Sequence, residues 1–273
     1  MTMPLRQSSI AAYMACPRKA QFRYVEGITE PANERMVRGT CAHAGIEFAL
    51  RRQMTGAVAT LDEVKQAVSD TASREASTVD WAREESDDRD AMVDRAIAYA
   101  EHYVTHVAPA LSVVDVERRF TAKIAPGLEV TGTIDIVTQD GLRDVKTTSR
   151  APTPSMGDPR YRIQLGLYSA AWQALTDGFD FGSSVIDFLV LSETRAKGRT
   201  VRHLPVIMSA DETAEEARNA IDVAQHVQAA TTRGDYPRNP LACFEYGRPC
   251  GYLARCMPHR ASVSEREKGA SNV

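Results

Sequence analysis

Residues 130–148 read VTGTIDIVTQDGLRDVKTT, and this stretch decides the fold. Thr131 to Val137 alternate polar and apolar and are rich in β-branched residues, the pattern of a strand with two different faces. Asp140-Gly141 signals a tight hairpin turn. Leu142 to Thr148 form the return strand. Side chains alternate across a strand, so Asp144 and Lys146 share a face, and Asp135 on the partner strand can meet them there. Burying two carboxylates and an ammonium together is costly unless something binds between them. A divalent metal suits that place, because Mg²⁺ and Mn²⁺ prefer hard oxygen ligands. The alternative is a surface hairpin with solvated charges.

The flanking sequence bears on that choice. Downstream, PRYRIQLGLYSAAWQAL (159–175) predicts a helix on which Gln164 and Tyr168 are i, i+4 neighbours on one face. Leu165, Leu167 and Trp172 are its core candidates. Upstream, VRGTCAHAGIEFAL (37–50) predicts a helix starting at Gly39 and Thr40, with His43 and Glu47 again four apart. Glu47 reads as a solvated or ion-paired partner, and Cys41 as a small packing residue.

The chain ends carry a second constellation. LRQSSIAAYMACPRKAQFRYVEGI near the N-terminus holds Cys16; NPLACFEYGRPCGYLARCMPHR near the C-terminus holds Cys243, Cys250 and Cys256. Four thiolates can hold zinc as readily as an iron–sulfur cluster. Disulfides would need an oxidising compartment, and MTMPLRQSS has no apolar segment of a secretory signal. No apolar run is long enough to span a bilayer. The expectation is therefore a cytoplasmic protein with no membrane partner.

Together these elements resemble the PD-(D/E)XK nuclease superfamily, in its RecB-like branch. Asp135 matches the first acidic position and Asp144-Val145-Lys146 the D-x-K element. Gln164 and Tyr168 match Q-x-x-x-Y, and Gly39 with His43 matches G-x-x-x-H. The cysteines and the opening S-x-I-x-x-Y-x-x-C-P-x-K resemble the iron–sulfur staple of CRISPR adaptation exonucleases of the "Cas four" type, AddB-type helicase–nucleases and phage relatives. The C-terminal spacing here, C-x(6)-C-x(5)-C, is the wider phage type. The resemblance implies an Mg²⁺ or Mn²⁺ site of Asp135, Asp144, His43 and the Val145 carbonyl. It implies that Lys146 orients the attacking water, with Gln164 and Tyr168 positioning it or a phosphate. It also implies a [4Fe–4S] cluster on Cys16, Cys243, Cys250 and Cys256, with Zn²⁺ as the alternative.

The implied activity is metal-dependent exonucleolytic cleavage of single-stranded DNA or DNA ends, in recombination, repair or CRISPR adaptation, in a bacterial cell or phage-infected host. Recombination or CRISPR adaptation proteins are the implied partners. The alternative is a catalytically weak DNA-binding or adaptor module. The net charge of −3, from 33 basic and 36 acidic residues, weighs mildly against a nucleic-acid binder. Local basic groups are nonetheless present, and Arg18, Lys19, Arg150, Arg160 and Arg162 are the candidate DNA contacts.

With 273 residues, 43% of them hydrophobic, the chain can bury one large core. The expected fold is α/β, a restriction-endonuclease-like core with a mixed central sheet flanked by helices. A helical N-terminal part precedes it, and a C-terminal cysteine segment closes onto the N-terminus. Residues 1–260 form the single domain, with a helical insertion at about 55–108 and the cysteine staple at 240–258. Residues 261–273 are expected to be a disordered tail, and Thr147 to Pro159 a mobile loop. Further helices are expected over Ser9–Tyr24, Leu61–Arg74, Arg89–Val107 and Asp211–Thr231. Further strands are expected over Ser112–Ile124, Val185–Leu191 and Thr200–Ile207.

Overall fold

The run SSVIDFLVLSET is too apolar for a sheet edge. As β4 (Ser183–Thr194) it has eight consecutive buried residues and lies inside a five-stranded sheet. The computed structural model describes residues 3–81, 88–151, 159–176, 182–194, 198–245 and 248–258. The other strands are β1 (Val113–Ala125), β2 (Leu128–Thr138), β3 (Gly141–Thr148) and β5 (Gly198–Met208). Their spatial order follows the chain, β1-β2-β3-β4-β5. All neighbours are antiparallel except β3 and β4, which run parallel over Gly141↔Ser183 to Thr148↔Val190. A parallel pair needs a crossover, and α6 (Pro159–Leu175) supplies it. The sheet is mixed and flanked by helices, as the sequence predicts.

One face carries α3 (Glu34–Met54), α4 (Leu61–Glu75) and α5 (Arg89–His106), packed with Val116, Ile136, Val145 and Leu189 of the sheet. A Cβ on Gly45 of α3 would stand 2.7 Å from Val68 and 3.0 Å from Ala100, so glycine there lets the three helices meet. The other face carries α1 (Gln7–Ala15), α6 and α7 (Ala210–Thr232) against Leu128, Val130, Ile134 and Leu142. Cys41 is fully buried in the first core, a packing residue.

Two helix predictions are corrected. The span Ser9–Tyr24 is not one helix. It breaks at Cys16, which has an extended backbone (φ −158°, ψ 107°), and restarts as α2 (Pro17–Ala20), followed by a wide turn at Gln21–Val25. Pro17 explains the break: it lacks an N–H, disfavours a helical residue before it and is suited to a first turn. Helix α3 begins at Glu34, five residues before the expected start, because Asn33 caps it by accepting from the Met36 N–H at 2.9 Å. Gly39 therefore lies inside the helix, beside Thr147 of β3. Residues 261–273, and 152–158 of the expected mobile loop, lie outside the described residues.

Candidate active site

The β2–β3 ladder is regular for three pairs from the turn, Thr138↔Gly141 to Ile136↔Arg143. At the next position the Asp135 carboxylate intervenes: its Oδ2 accepts the Val145 N–H at 3.0 Å. The side chain thus takes a bond that a ladder carbonyl would have taken, and it is fixed at the mouth of the strands. Asp144 is almost fully buried. Its Oδ1 accepts from the Gln164 amide at 2.6 Å, and its Oδ2 lies 2.6 Å from the Lys146 ammonium. That Oδ2 is buried without a geometrically sound hydrogen bond. Gln164 also donates to the Tyr168 hydroxyl at 3.1 Å. Gln164 and Tyr168 are both buried, on the α6 face turned to β3.

From the opposite side, His43 donates through Nε2 to the Val145 carbonyl at 3.0 Å. Its Nδ1 faces Asp135 Oδ2 at 3.6 Å and Glu117 Oε1 at 3.8 Å. Glu117 was not legible in the sequence, where it is one charge among several in VVDVERRF. It adopts φ +51°, the only non-glycine residue with positive φ among those described. Such a backbone costs about 1–3 kcal/mol and persists only where the surroundings enforce it. Arg51 does so by donating to the Val116 carbonyl at 2.8 Å while paired with Glu47 at 2.8 Å.

The electrostatics follow from this crowding. Burial disfavours a charged His43, but the Asp135 carboxylate, followed by the Glu117 contact, holds its pKa up at about 9. Burial raises the Asp144 carboxyl against the opposing pull of Lys146. Lys146 is raised in turn, because Asp144 and Asp135 outweigh its own burial. Burial and the two aspartates keep the Tyr168 hydroxyl protonated.

His43, Glu117 and Asp135 are the one group of three among the described residues whose ligand atoms lie within 4.8 Å of one another. They can hold a divalent cation, which would replace the ring proton of His43. The other two expected ligands stand next to this group. Asp144 is committed to Gln164 and Lys146 beside that group, and the Val145 carbonyl is taken by His43.

The structure brings Asp135, Asp144, Lys146, Gln164, Tyr168 and His43 together, and it gathers the cysteines elsewhere. Cys16, Cys243, Cys250 and Cys256 all line one solvent-open recess of about 330 Å³ with Arg18, Lys19 and Phe22. A short hairpin, β6 (Phe244–Glu245) and β7 (Arg248–Pro249), returns the Cys250 N–H to the Cys243 carbonyl at 2.8 Å. Asn239 donates to the Ala15 carbonyl at 2.8 Å and Tyr252 to the Ile28 carbonyl at 2.7 Å, docking the two chain ends. All five thiols are free.

Among the candidate DNA contacts, Arg162 is spent within the fold, at 2.9 Å from Glu216 and 3.3 Å from Glu212 of α7. Arg150 is exposed beyond β3. The Arg160 side chain lies outside the described residues. No helix among the described residues is long and apolar enough to cross a membrane.

No protein of curated function matches the chain. Among solved structures, a candidate exonuclease from Eubacterium rectale is similar in fold, with a TM-score of 0.57 at 8% identity over 93% of each chain. The sequence profile of the PD-(D/E)XK nuclease superfamily matches residues 4–257, almost the whole chain. The acidic strand pair, its half-buried lysine and the glutamine helix stand inside that match, and the chain belongs to the PD-(D/E)XK nuclease superfamily.

Proposed function

We propose that this protein is a divalent-metal-dependent deoxyribonuclease that degrades single-stranded DNA or works from DNA ends. The observation that carries this reading is the buried Asp144, with its oxygens shared between Gln164 and Lys146, standing beside the His43, Glu117 and Asp135 group. Asp144 is buried with one oxygen on an amide and the other on an ammonium, and three further ligand atoms converge beside it.

The donor set of one imidazole and hard carboxylate oxygens fits Mg²⁺ or Mn²⁺. His43, Glu117 and Asp135 would hold the ion, with Asp144 at its edge. When bound, the ion supplies Lewis acidity toward the phosphate and makes water a stronger acid. The protein groups then have separate tasks. Lys146 places a positive charge where charge develops on the phosphate and orients the attacking water. Gln164 fixes the Asp144 carboxylate by donating to one oxygen, which leaves the other for Lys146. Tyr168, protonated and receiving a bond from Gln164, locks the amide orientation. The family resemblance implies products with 5′-phosphate and 3′-hydroxyl ends.

We also assign the four-cysteine recess to a [4Fe–4S] cluster. One tetrahedral zinc ion with bonds of about 2.3 Å needs its sulfurs about 3.8 Å apart. What supports a shared metal centre is that all four cysteines, from both chain ends, line one recess. Iron, sulfide and zinc analysis of anaerobically purified protein separates the two: one zinc without iron supports the simpler staple.

The activity test uses end-labelled linear DNA, single-stranded and duplex, beside circular single strands, in Mg²⁺ or Mn²⁺. Progressive loss of linear substrate with intact circles supports the exonuclease. Tight binding without cleavage in either metal would instead favour an adaptor module.

A further inference from the structure

We propose that Tyr161 is a positioning residue for Lys146, a role that rests on the nuclease reading of this site. Residues 161, 164 and 168 lie along one stripe of α6, spaced three and four apart. Gln164 and Tyr168 of that stripe serve Asp144; Tyr161 serves the lysine. The Lys146 ammonium sits 5.2 Å from the centre of the Tyr161 ring. The ring meets Phe188 edge-on, with centroids 5.6 Å apart and planes at 68°. Phe188 is the residue directly beside Lys146 across the β3–β4 ladder. The aromatic pair therefore forms a wall along one side of the lysine, built from a strand neighbour and the crossover helix.

The chemistry gives this wall a purpose. A lysine is a point charge on a flexible four-carbon stem. In this structure its near partner is Asp144, at 2.6 Å. A lysine held by Asp144 alone would follow that carboxylate, and would be loosened whenever the carboxylate turned to another cation. The ring face attracts the ammonium from a second direction through its quadrupole. It offers no strong acceptor to the ammonium protons, so those protons stay free for a water or a phosphate oxygen. It also excludes water from one side of the charge. The role belongs to the ring face, which separates it from acid–base chemistry by the Tyr161 hydroxyl.

Two substitutions test it. Tyr161→Phe keeps the ring face and the Phe188 contact; Tyr161→Leu keeps apolar bulk and removes the face. The chain has six lysines, so ¹³Cε-lysine labelling gives few signals, and Lys146→Met assigns the relevant one. In the wild type the Lys146 ε-protons should be shifted upfield by the ring. Tyr161→Phe should keep that shift, and Tyr161→Leu should return the signal to the position of a free lysine. In DNA cleavage, Tyr161→Leu should lower kcat about tenfold, between the sizes of an exposed and a desolvated cation–π contact. KM should stay within about twofold, because substrate binding is not what the ring supplies. Tyr161→Phe should restore kcat. An unmoved Lys146 signal in Tyr161→Leu, or a Phe variant as impaired as the Leu variant, overturns the assignment. Absence of turnover in the wild type overturns the nuclease reading, while the lysine signal still decides the role of Tyr161.

Discussion

Asp144 and Lys146 make opposite demands on their surroundings, and the structure meets both with neighbours on α6. Asp144→Ala and Lys146→Ala should each lower cleavage by at least about a hundredfold while the far-ultraviolet circular dichroism stays native. Lys146→Ala should still bind Mn²⁺, because the three converging ligand atoms remain. His43→Ala and Glu117→Gln should each weaken Mn²⁺ binding by about ten- to a hundredfold, read by calorimetric titration. Unchanged titration of Glu117→Gln would mean that its left-handed backbone serves packing alone. The two acidic positions, the lysine, the histidine and the glutamine were all legible in the sequence, because strand alternation and i, i+4 spacing fix which side chains share a face. Glu117 was not. Its place depends on a strained φ and on Arg51 reaching across from α3, and neither leaves a trace in local spacing.

Helices and strands extend the same lesson to the face opposite the site. Asp187 interrupts the apolar run VIDFLVL of β4, and that lone charge was the available signal for a second buried cluster. It is fully buried, 2.7 and 2.8 Å from the Arg143 guanidinium, 2.7 Å from His203 Nε2 and 3.0 Å from the Tyr103 hydroxyl. Arg143 reads in sequence as a basic neighbour of Lys146; its side chain in fact serves this inner pair. Asp187→Asn leaves a buried guanidinium without its counter-charge and should cost about 3–5 kcal/mol in urea unfolding at neutral pH. Burial would raise the Asp187 carboxyl, but hydrogen bonds from His203 and Arg143 reverse this and hold it below its ordinary value. The folded pKa is thus the lower one. Its stabilisation is complete above the unfolded value of about 3.9 and is lost as the pH falls through the folded value. Wild type should lose stability over that acid range more steeply than Asp187→Asn, and equal slopes would contradict the assignment. Helix boundaries were less legible than helix existence. The break at Cys16 is written in Pro17, whereas the early start of α3 hangs on one side-chain cap at Asn33.

Across the whole molecule, the two chain ends meet at the cysteine recess, closing a loop of more than two hundred residues. If the proposed cluster joins them, the chain-entropy description gives a closure of that length about 5 kcal/mol, with the strength of the cluster bonds added. Cys16→Ala, Cys243→Ala, Cys250→Ala and Cys256→Ala should each bleach the visible absorbance of anaerobic protein and lower its unfolding temperature. Cys41→Ala should leave the colour unchanged, because Cys41 is sealed in the helical core with its thiol raised by burial to about 11. DNA binding should weaken steeply with salt, since phosphate contacts release counterions. The measurement that bears most directly on the central claim is turnover of linear single-stranded DNA by wild type and Lys146→Ala, side by side, in Mn²⁺ and in a chelator. The account predicts cleavage only by the wild type and only with the metal. Equal cleavage by both proteins, or cleavage that survives the chelator, would contradict it.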